Sequence, residues 1–463
     1  MKFALYFGNR GFFPGELVAS ARAEMINAVE KSGNTYIAMN ETSTKYGAIE
    51  GIEAGEKYAA FLKENEDNYD GVIMCLPNFS DENGAIAALK NCKKPILIQA
   101  YPDEIGKMGF ELRRDAFCGK FSIMDVFYQY GVKYTTFKPH VCKPNSEEFA
   151  SQLNKFSRIC NTVNKMQNFS IGAIGARTTL FKTVRFDELT LQRYGITIDT
   201  FDLSELFDRS LNYKDNEKVN NLVVELKDYT DFSRVKDVKI ELMAKVILVI
   251  KEIVAEYRLN ALALRCWNEF PQVLKISACT IISYLNHIGI PCSCELDVGN
   301  SIAMKALTLA TNNVSTCLDW NNNYGEQENK CILFHCGPVA QDMMEAKGTV
   351  TDHKMFAKSY GEGCAFGTNE GRIKAGKFTY ASSKTENGKL QLYIGTGEFT
   401  GEPIEKEFFG CGGVAKINNL EDVMLYVGKN GYRHHVSVAF GEVKEVLEEV
   451  FNNYLNYDLK IFD

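Results

Sequence analysis

Two acids and a histidine stand at the edges of apolar, strand-like runs. Glu295 closes the run 290–295, Asp319 closes 314–319, and His435 opens 435–441. Two carboxylates and one imidazole suit a hard or borderline divalent cation: manganese first, with magnesium or cobalt as alternatives. Three protein ligands leave coordination positions free for a substrate, so the trio points to catalysis rather than to a structural metal. Each member also has a plainer reading. Glu295 could be the N-terminal acid of a helix over 298–309. Asp319 could cap a turn before Asn321-Asn322-Asn323-Tyr324-Gly325, and His434-His435 could be an edge-strand pair. His335, in an apolar strand ending at Cys336-Gly337-Pro338, reads as a hydrogen-bonded core histidine. The trio is more specific than its members because all three fall at strand ends.

The elements that must position these residues follow an α/β rhythm. Strands are expected over 3–7, 35–38, 71–76 and 95–99, with helices over 16–31, 49–65 and 82–90 between them. In the first helix Leu17, Ala21, Met25 and Val29 recur at helical spacing. After a long helix over 146–166 a second series begins. Its strands are 169–174, 197–202, 261–264 and 291–294, and its helices 188–194, 238–257 and 277–288. Such alternation implies parallel, doubly wound sheets. Beyond Asp319 glycine and threonine become frequent and helical periodicity fades. The runs 377–381, 390–395 and 405–409 read as antiparallel strands with turns such as Glu386-Asn387-Gly388, before a last helix over 442–453. The expected fold is α/β: two Rossmann-like α/β domains (1–166, and 167–312 with Glu295), then a mostly β, barrel-like domain (313–463) with Asp319 and His435.

At 463 residues, and about 100–200 residues per domain, roughly two to four domains are expected. Lys and Arg number 52 against 59 Asp and Glu, a net charge of −7. That excludes a broad cationic surface, and with it bulk electrostatic binding of nucleic acid. None of the 14 cysteines forms a CxxC pair. Most sit in apolar runs, as free thiols of a cytoplasmic enzyme do. The N-terminal apolar run is too short for a signal sequence. No run approaches the ~18 apolar residues of a membrane span, so a cytoplasmic protein without membrane partners is expected.

In open parallel sheets ligands bind beyond the carboxyl ends of strands. That rule selects Gly8-Asn9-Arg10-Gly11, Pro77-Asn78-Phe79-Ser80, Arg177-Thr178-Thr179 and Arg265-Cys266-Trp267. The first lacks the GxGxxG spacing of a dinucleotide site. Arg10, Arg177, Lys182, Arg185 and Arg265 could hold an anionic substituent, or could pair with Asp187, Glu188 or Glu269. Trp267 could stack on a sugar face or pack in the core.

At these residues the sequence resembles the L-fucose isomerase and L-arabinose isomerase superfamily, in a fucose-isomerase-like branch. The likeness rests on Gly8-Asn9-Arg10-Gly11-Phe12-Phe13-Pro14, Gly175-Ala176-Arg177-Thr178-Thr179, Ala263-Leu264-Arg265-Cys266-Trp267, Cys294-Glu295-Leu296-Asp297-Val298 and Phe334-His335-Cys336-Gly337-Pro338. The interval from Glu295 to Asp319 and the late His434-His435 pair are its strongest elements. The resemblance implies metal ligands Glu295, Asp319 and His435, with Glu295 and Asp319 also moving protons. It implies substrate contacts from Arg10, Asn78, Arg177, Arg265, Trp267, Asn321 and His434. L-arabinose isomerase carries a further ligand histidine shortly after the position of Asp319. Asn321 and Asn322 stand there, which favours the three-ligand, fucose-type site. The chain is shorter than a typical L-fucose isomerase, so its substrate-contacting loops differ.

The activity implied is aldose–ketose isomerisation of a sugar through a cis-enediol, with manganese or another divalent cation. Active sites between subunits of a homotrimer or homohexamer are implied too. Two further readings are an isomerase of an anionic, sulfonated or phosphorylated sugar, and a non-catalytic sugar-binding protein. A third is an epimerase or lyase working through the same enediolate.

Overall fold

The computed structural model describes residues 1–463 and divides into two compact units, 1–164 with 452–456, and 165–451 with 457–463. The first unit is built on a four-stranded parallel sheet, in the order Thr35–Ala38, Lys2–Phe7, Gly71–Leu76, Ile96–Ala100. Gly71–Leu76 and Ile96–Ala100 are buried at every position. That is why they read as unbroken apolar runs: a parallel sheet is covered on both faces. Helices Leu17–Lys31, Gly51–Glu64 and Glu82–Leu89 follow the alternation expected from the sequence. Helix Ala116–Gln129 was not foreseen, because its apolar residues carry little helical periodicity.

Helix Ala116–Gln129 buries Lys120, whose Nζ donates to the carbonyl of His140 at 2.7 Å. Burial pulls its ammonium down to about 8. A folded value below the ordinary one means that folding disfavours the charged form. The cost is full below about pH 8 and fades as pH rises towards the unfolded value near 10.4. Lys120→Met is therefore expected to stabilise the protein at pH 7 by about 1–2 kcal/mol, after about 1 kcal/mol is lost with the hydrogen bond. Thermal melts at pH 7 and pH 10 check this: the gain should shrink at the higher pH.

The second unit holds another four-stranded parallel sheet, in the order Ile196–Phe201, Phe169–Ile174, Ala261–Leu264, Cys292–Ser293. It also holds a closed barrel. Strands Cys411–Lys416, Lys330–His335, Ser315–Asn323, His435–Phe440, Gly376–Glu386 and Lys389–Phe399 pair in that order, and the last pairs back to the first. The fold is thus α/β with two parallel sheets and a C-terminal barrel, as expected. Helix Val298–Thr311, buried at nearly every position, packs on the parallel sheet and on barrel strands alike. No helix is long and apolar enough to cross a membrane.

Three local expectations need correction. Asp319 does not close a strand; Ser315–Asn323 runs on for four residues beyond it, held by pairing with Lys330–His335. Residues 405–409 are a turn-rich connection, and the barrel strand is Cys411–Lys416. The last helix is a short α segment, Lys444–Glu448, continued by a π-type turn, Glu449–Leu455.

Candidate functional site

Barrel closure places Asp319 and His435 directly opposite each other on neighbouring antiparallel strands. On its other side Asp319 faces Phe334, the residue before His335. Cross-strand neighbours stand about 4.5–5.5 Å apart at Cβ, so Asp319 and His435 share one barrel face. Glu295 arrives differently. After the two-residue strand Cys292–Ser293, both Glu295 and Leu296 adopt left-handed backbone angles, φ 60° and 62°. Each costs of order 1 kcal/mol outside glycine. The turn swings the Glu295 carboxylate towards the barrel and delivers Asp297 to the start of helix Val298–Thr311. The N-terminal acid of that helix is therefore Asp297, whose side chain accepts from the Asn300 amide.

Glu295 and Asp319 each approach His435. His435 Nε2 lies 3.2 Å from Glu295 Oε2 and 3.5 Å from Asp319 Oδ1. These three atoms are buried, and none makes a hydrogen bond of good geometry. The other atoms of Glu295 and His435 are occupied: Trp267 Nε1 donates to Glu295 Oε1 at 3.0 Å, and His435 Nδ1 faces Asp297 Oδ2 at 2.8 Å. With the Nδ1 proton held by Asp297, it is Nε2 that gives up its proton and turns a lone pair to the carboxylates when a cation binds, the tautomer a metal-ligating imidazole needs. Three unpartnered buried donor atoms of this chemistry fit a divalent cation.

Electrostatics supports the cluster from behind. Asp297 is fully buried and pairs with Arg433 at 2.9 Å. Burial alone would raise its carboxyl; the Arg433 charge and the bonds from His435 and Asn300 outweigh it and hold it at about 2. Gly299 makes the approach possible, because a Cβ there would overlap the Arg433 guanidinium and the Ser383 carbonyl. Burial works against an ionised Glu295 as well, yet His435 and then His335 and His434 keep its carboxyl below the usual value. Burial would lower His435, but Cys317, Asp297 and Glu295 together push it well above the ordinary range.

The remaining sequence candidates fall into separate groups. His434 sits on the rim, half-exposed, its Nε2 3.7 Å from Asp319. Burial and the neighbouring His435 lower its pKa. Trp267 orients Glu295 and packs 5.3 Å from Phe181. Trp267→Phe, which removes the hydrogen bond while keeping an aromatic ring, is expected to cut kcat about tenfold, consistent with about 1.5 kcal/mol for a bond to a charged group; steady-state kinetics reads this. Arg265 is committed to Glu269 in a bidentate pair, at 2.6 and 2.8 Å, and to the Ala176 carbonyl. Arg177 donates to the carbonyls of Thr178 and Phe181. Asn321 is exposed and is skipped in the pairing with Lys330–His335, as the extra residue of a β-bulge. Arg10 and Asn78 lie in the first unit. There Arg10 pairs with Glu82 above the Phe79 ring, and Asn78 donates to Asn9.

Sequence reasoning missed Asp297, Arg433, His335 and Phe181 as parts of this site. Asp297 carried a signal as an N-cap acid. Phe181 carried none, yet its ring stacks 5.9 Å from His435 and lies 5.4 Å from His434. His335, read as a core histidine, places a ring nitrogen within 4.8 Å of the ligating atoms of Glu295 and His435.

Comparison with known proteins supplies the family. Residues 4–167 match the fucose/sulfoquinovose isomerase N-terminal domain, and residues 333–462 match the L-fucose isomerase C-terminal domain. The protein is an aldose–ketose sugar isomerase. It belongs to the L-fucose isomerase superfamily, in the fucose-isomerase-like branch. It is 24% identical over 423 residues to a sulfoquinovose isomerase of Priestia aryabhattai, covering 89% of this chain and 90% of the relative. A sulfoquinovose isomerase of Alkalicoccus urumqiensis is 22% identical over 396 residues, 84% of this chain and 86% of its own.

Proposed function

We propose that this isomerase is metal-dependent and acts on a sulfonated aldose of the sulfoquinovose type. Glu295, Asp319 and His435 hold one divalent cation, manganese first, with magnesium or cobalt as alternatives. The observation that carries the metal reading is the convergence of three buried, unpartnered atoms: Glu295 Oε2, Asp319 Oδ1 and His435 Nε2. When bound, the cation would draw electron density from the substrate carbonyl and keep the two reacting oxygens on one side.

The residues then divide the work. Glu295 and Asp319 are the proton carriers: a carboxylate takes the proton from carbon 2 and returns it to carbon 1. The hydroxyl proton of oxygen 2 passes to oxygen 1, so the aldose becomes the ketose with no net gain or loss. Such acid–base help contributes about 10²–10⁴-fold. Asp297 fixes His435, Trp267 fixes Glu295, and Phe181 shields the imidazole from water.

The sulfonate reading draws on the names of the relatives and on the loop that carries Phe181. Of its cations, Arg177 bonds only backbone carbonyls, and Arg185 and Lys182 are exposed. Their charge is free for an anion. The free-sugar reading, an isomerase of L-fucose type, is the alternative. The test is incubation of manganese-loaded protein with glucose bearing a 6-sulfonate or 6-phosphate, L-fucose, L-arabinose and D-arabinose in deuterated water. Ketose formation with exchange at carbon 2 on the sulfonate, at a kcat/KM at least about 10²-fold above the neutral sugars, is expected. Preference for a neutral sugar overturns the sulfonate reading, and full activity after chelation overturns the metal one.

A homotrimer or homohexamer is part of the proposal, with Arg10 and Asn78 of one chain serving the site of another. The family resemblance supports it. Fourteen unpaired thiols suit a reducing, cytoplasmic setting.

A further inference from the structure

His335 ends the strand Lys330–His335 and is 3% exposed. Its ring lies 5.8 Å from that of His435. By proximity alone it would count as a fourth ligand beside Glu295 and His435. Its hydrogen bonding says otherwise. The backbone N–H of Cys336 donates to His335 Nδ1 at 2.8 Å. An accepting Nδ1 must keep its lone pair, so the ring proton sits on Nε2. A nitrogen that carries a proton has no lone pair for a cation. His435 is the mirror case: its Nδ1 is used by Asp297, and its Nε2 is open.

His335 Nε2 is buried and has no partner. A buried donor left without an acceptor is destabilising, and it stands beside the atoms where the sugar's reacting end would lie. We propose that His335 is a catalytic residue of the isomerisation, donating an Nε2–H hydrogen bond to the substrate oxygen that gains negative charge as the enediol forms, and that it is not a metal ligand. The proton stays on His335 throughout; no bond to it forms or breaks. The inference rests on the metal and isomerase readings above and adds a residue to them.

The experiment compares wild type, His335→Ala and His335→Gln. Each is titrated with manganese, assayed on the best substrate of the panel, and examined by electron spin echo spectroscopy for nitrogen coupling to the bound ion. The wild type should show one imidazole nitrogen on manganese. His335→Ala should keep that signal and bind manganese within about threefold of wild type, while kcat falls about 10²-fold, as when an oxyanion donor is removed. His335→Gln, which can present an N–H at a similar reach, should recover part of kcat. A second imidazole coupling that His335→Ala removes, or a tenfold loss of manganese affinity, would make His335 a ligand and overturn the proposal. Unchanged kcat in His335→Ala, or no recovery in His335→Gln, overturns it as well. Should the wild type bind no manganese, the metal reading falls by itself, and the kcat series still decides the role of His335.

Discussion

Glu295→Gln should retain the fold and lose at least about 10³-fold in kcat/KM, a deficit in the upper part of what one acid–base group supplies. The substitution is isosteric, and its amide oxygen can still accept from Trp267, which bonds Oε1 in the native protein. What disappears is the charge at Oε2, the atom that faces His435 Nε2. One substitution thus removes a ligand charge and a proton carrier. Metal titration and steady-state kinetics on the same sample separate the two losses. Excess manganese should refill the site in part without restoring kcat. Circular dichroism serves as the fold control. Wild-type activity in Glu295→Gln would remove the carboxylate from the chemistry.

Asp297 carries the second large effect. Its Oδ1 accepts from Arg433 and the Asn300 amide, and its Oδ2 accepts from His435 Nδ1 and the Asn300 side chain. Asp297→Ala strands the Arg433 guanidinium, which is almost wholly buried. Breaking one side of a buried pair costs about 3–5 kcal/mol. It also frees the His435 ring to turn or change tautomer, which should weaken manganese binding about 10–100-fold. Asp297→Asn is nearly isosteric but has one acceptor oxygen where two are needed. Its NH₂ must face either Arg433, donor against donor, or His435 Nδ1, which then has to accept. It too should lose metal affinity, with a smaller loss of stability. Denaturant titration of metal-free protein and calorimetric manganese titration read the two effects separately. Native affinity in both variants would show that the buried pair serves stability alone.

The parallel sheets were legible in the sequence because burial on both faces leaves unbroken apolar runs such as Gly71–Leu76. Edges of elements were less legible. Residues 405–409 read as a strand through their aromatics, yet backbone pairing is made by the glycine-rich Cys411–Lys416, whose small residues let neighbours such as Phe399 pack closely. Residue type also said much about the site. Glu295, Asp319 and His435 offer the donors a divalent cation needs, and that chemistry is set before folding.

Which partners those donors meet was decided by tertiary structure. Asp319 and His435 are far apart in the chain and meet only because their strands are neighbours in the closed barrel. His335 and His435 are the same residue type with opposite open nitrogens, one bonded by the next backbone amide and the other by a buried aspartate. A tautomer is fixed by whichever group reaches the ring, and sequence spacing does not encode that contact. The sequence by itself determined the ligand chemistry and the layered α/β order. Only the fold decided which histidine can bind a cation, which can donate a hydrogen bond, and which acid stands behind them.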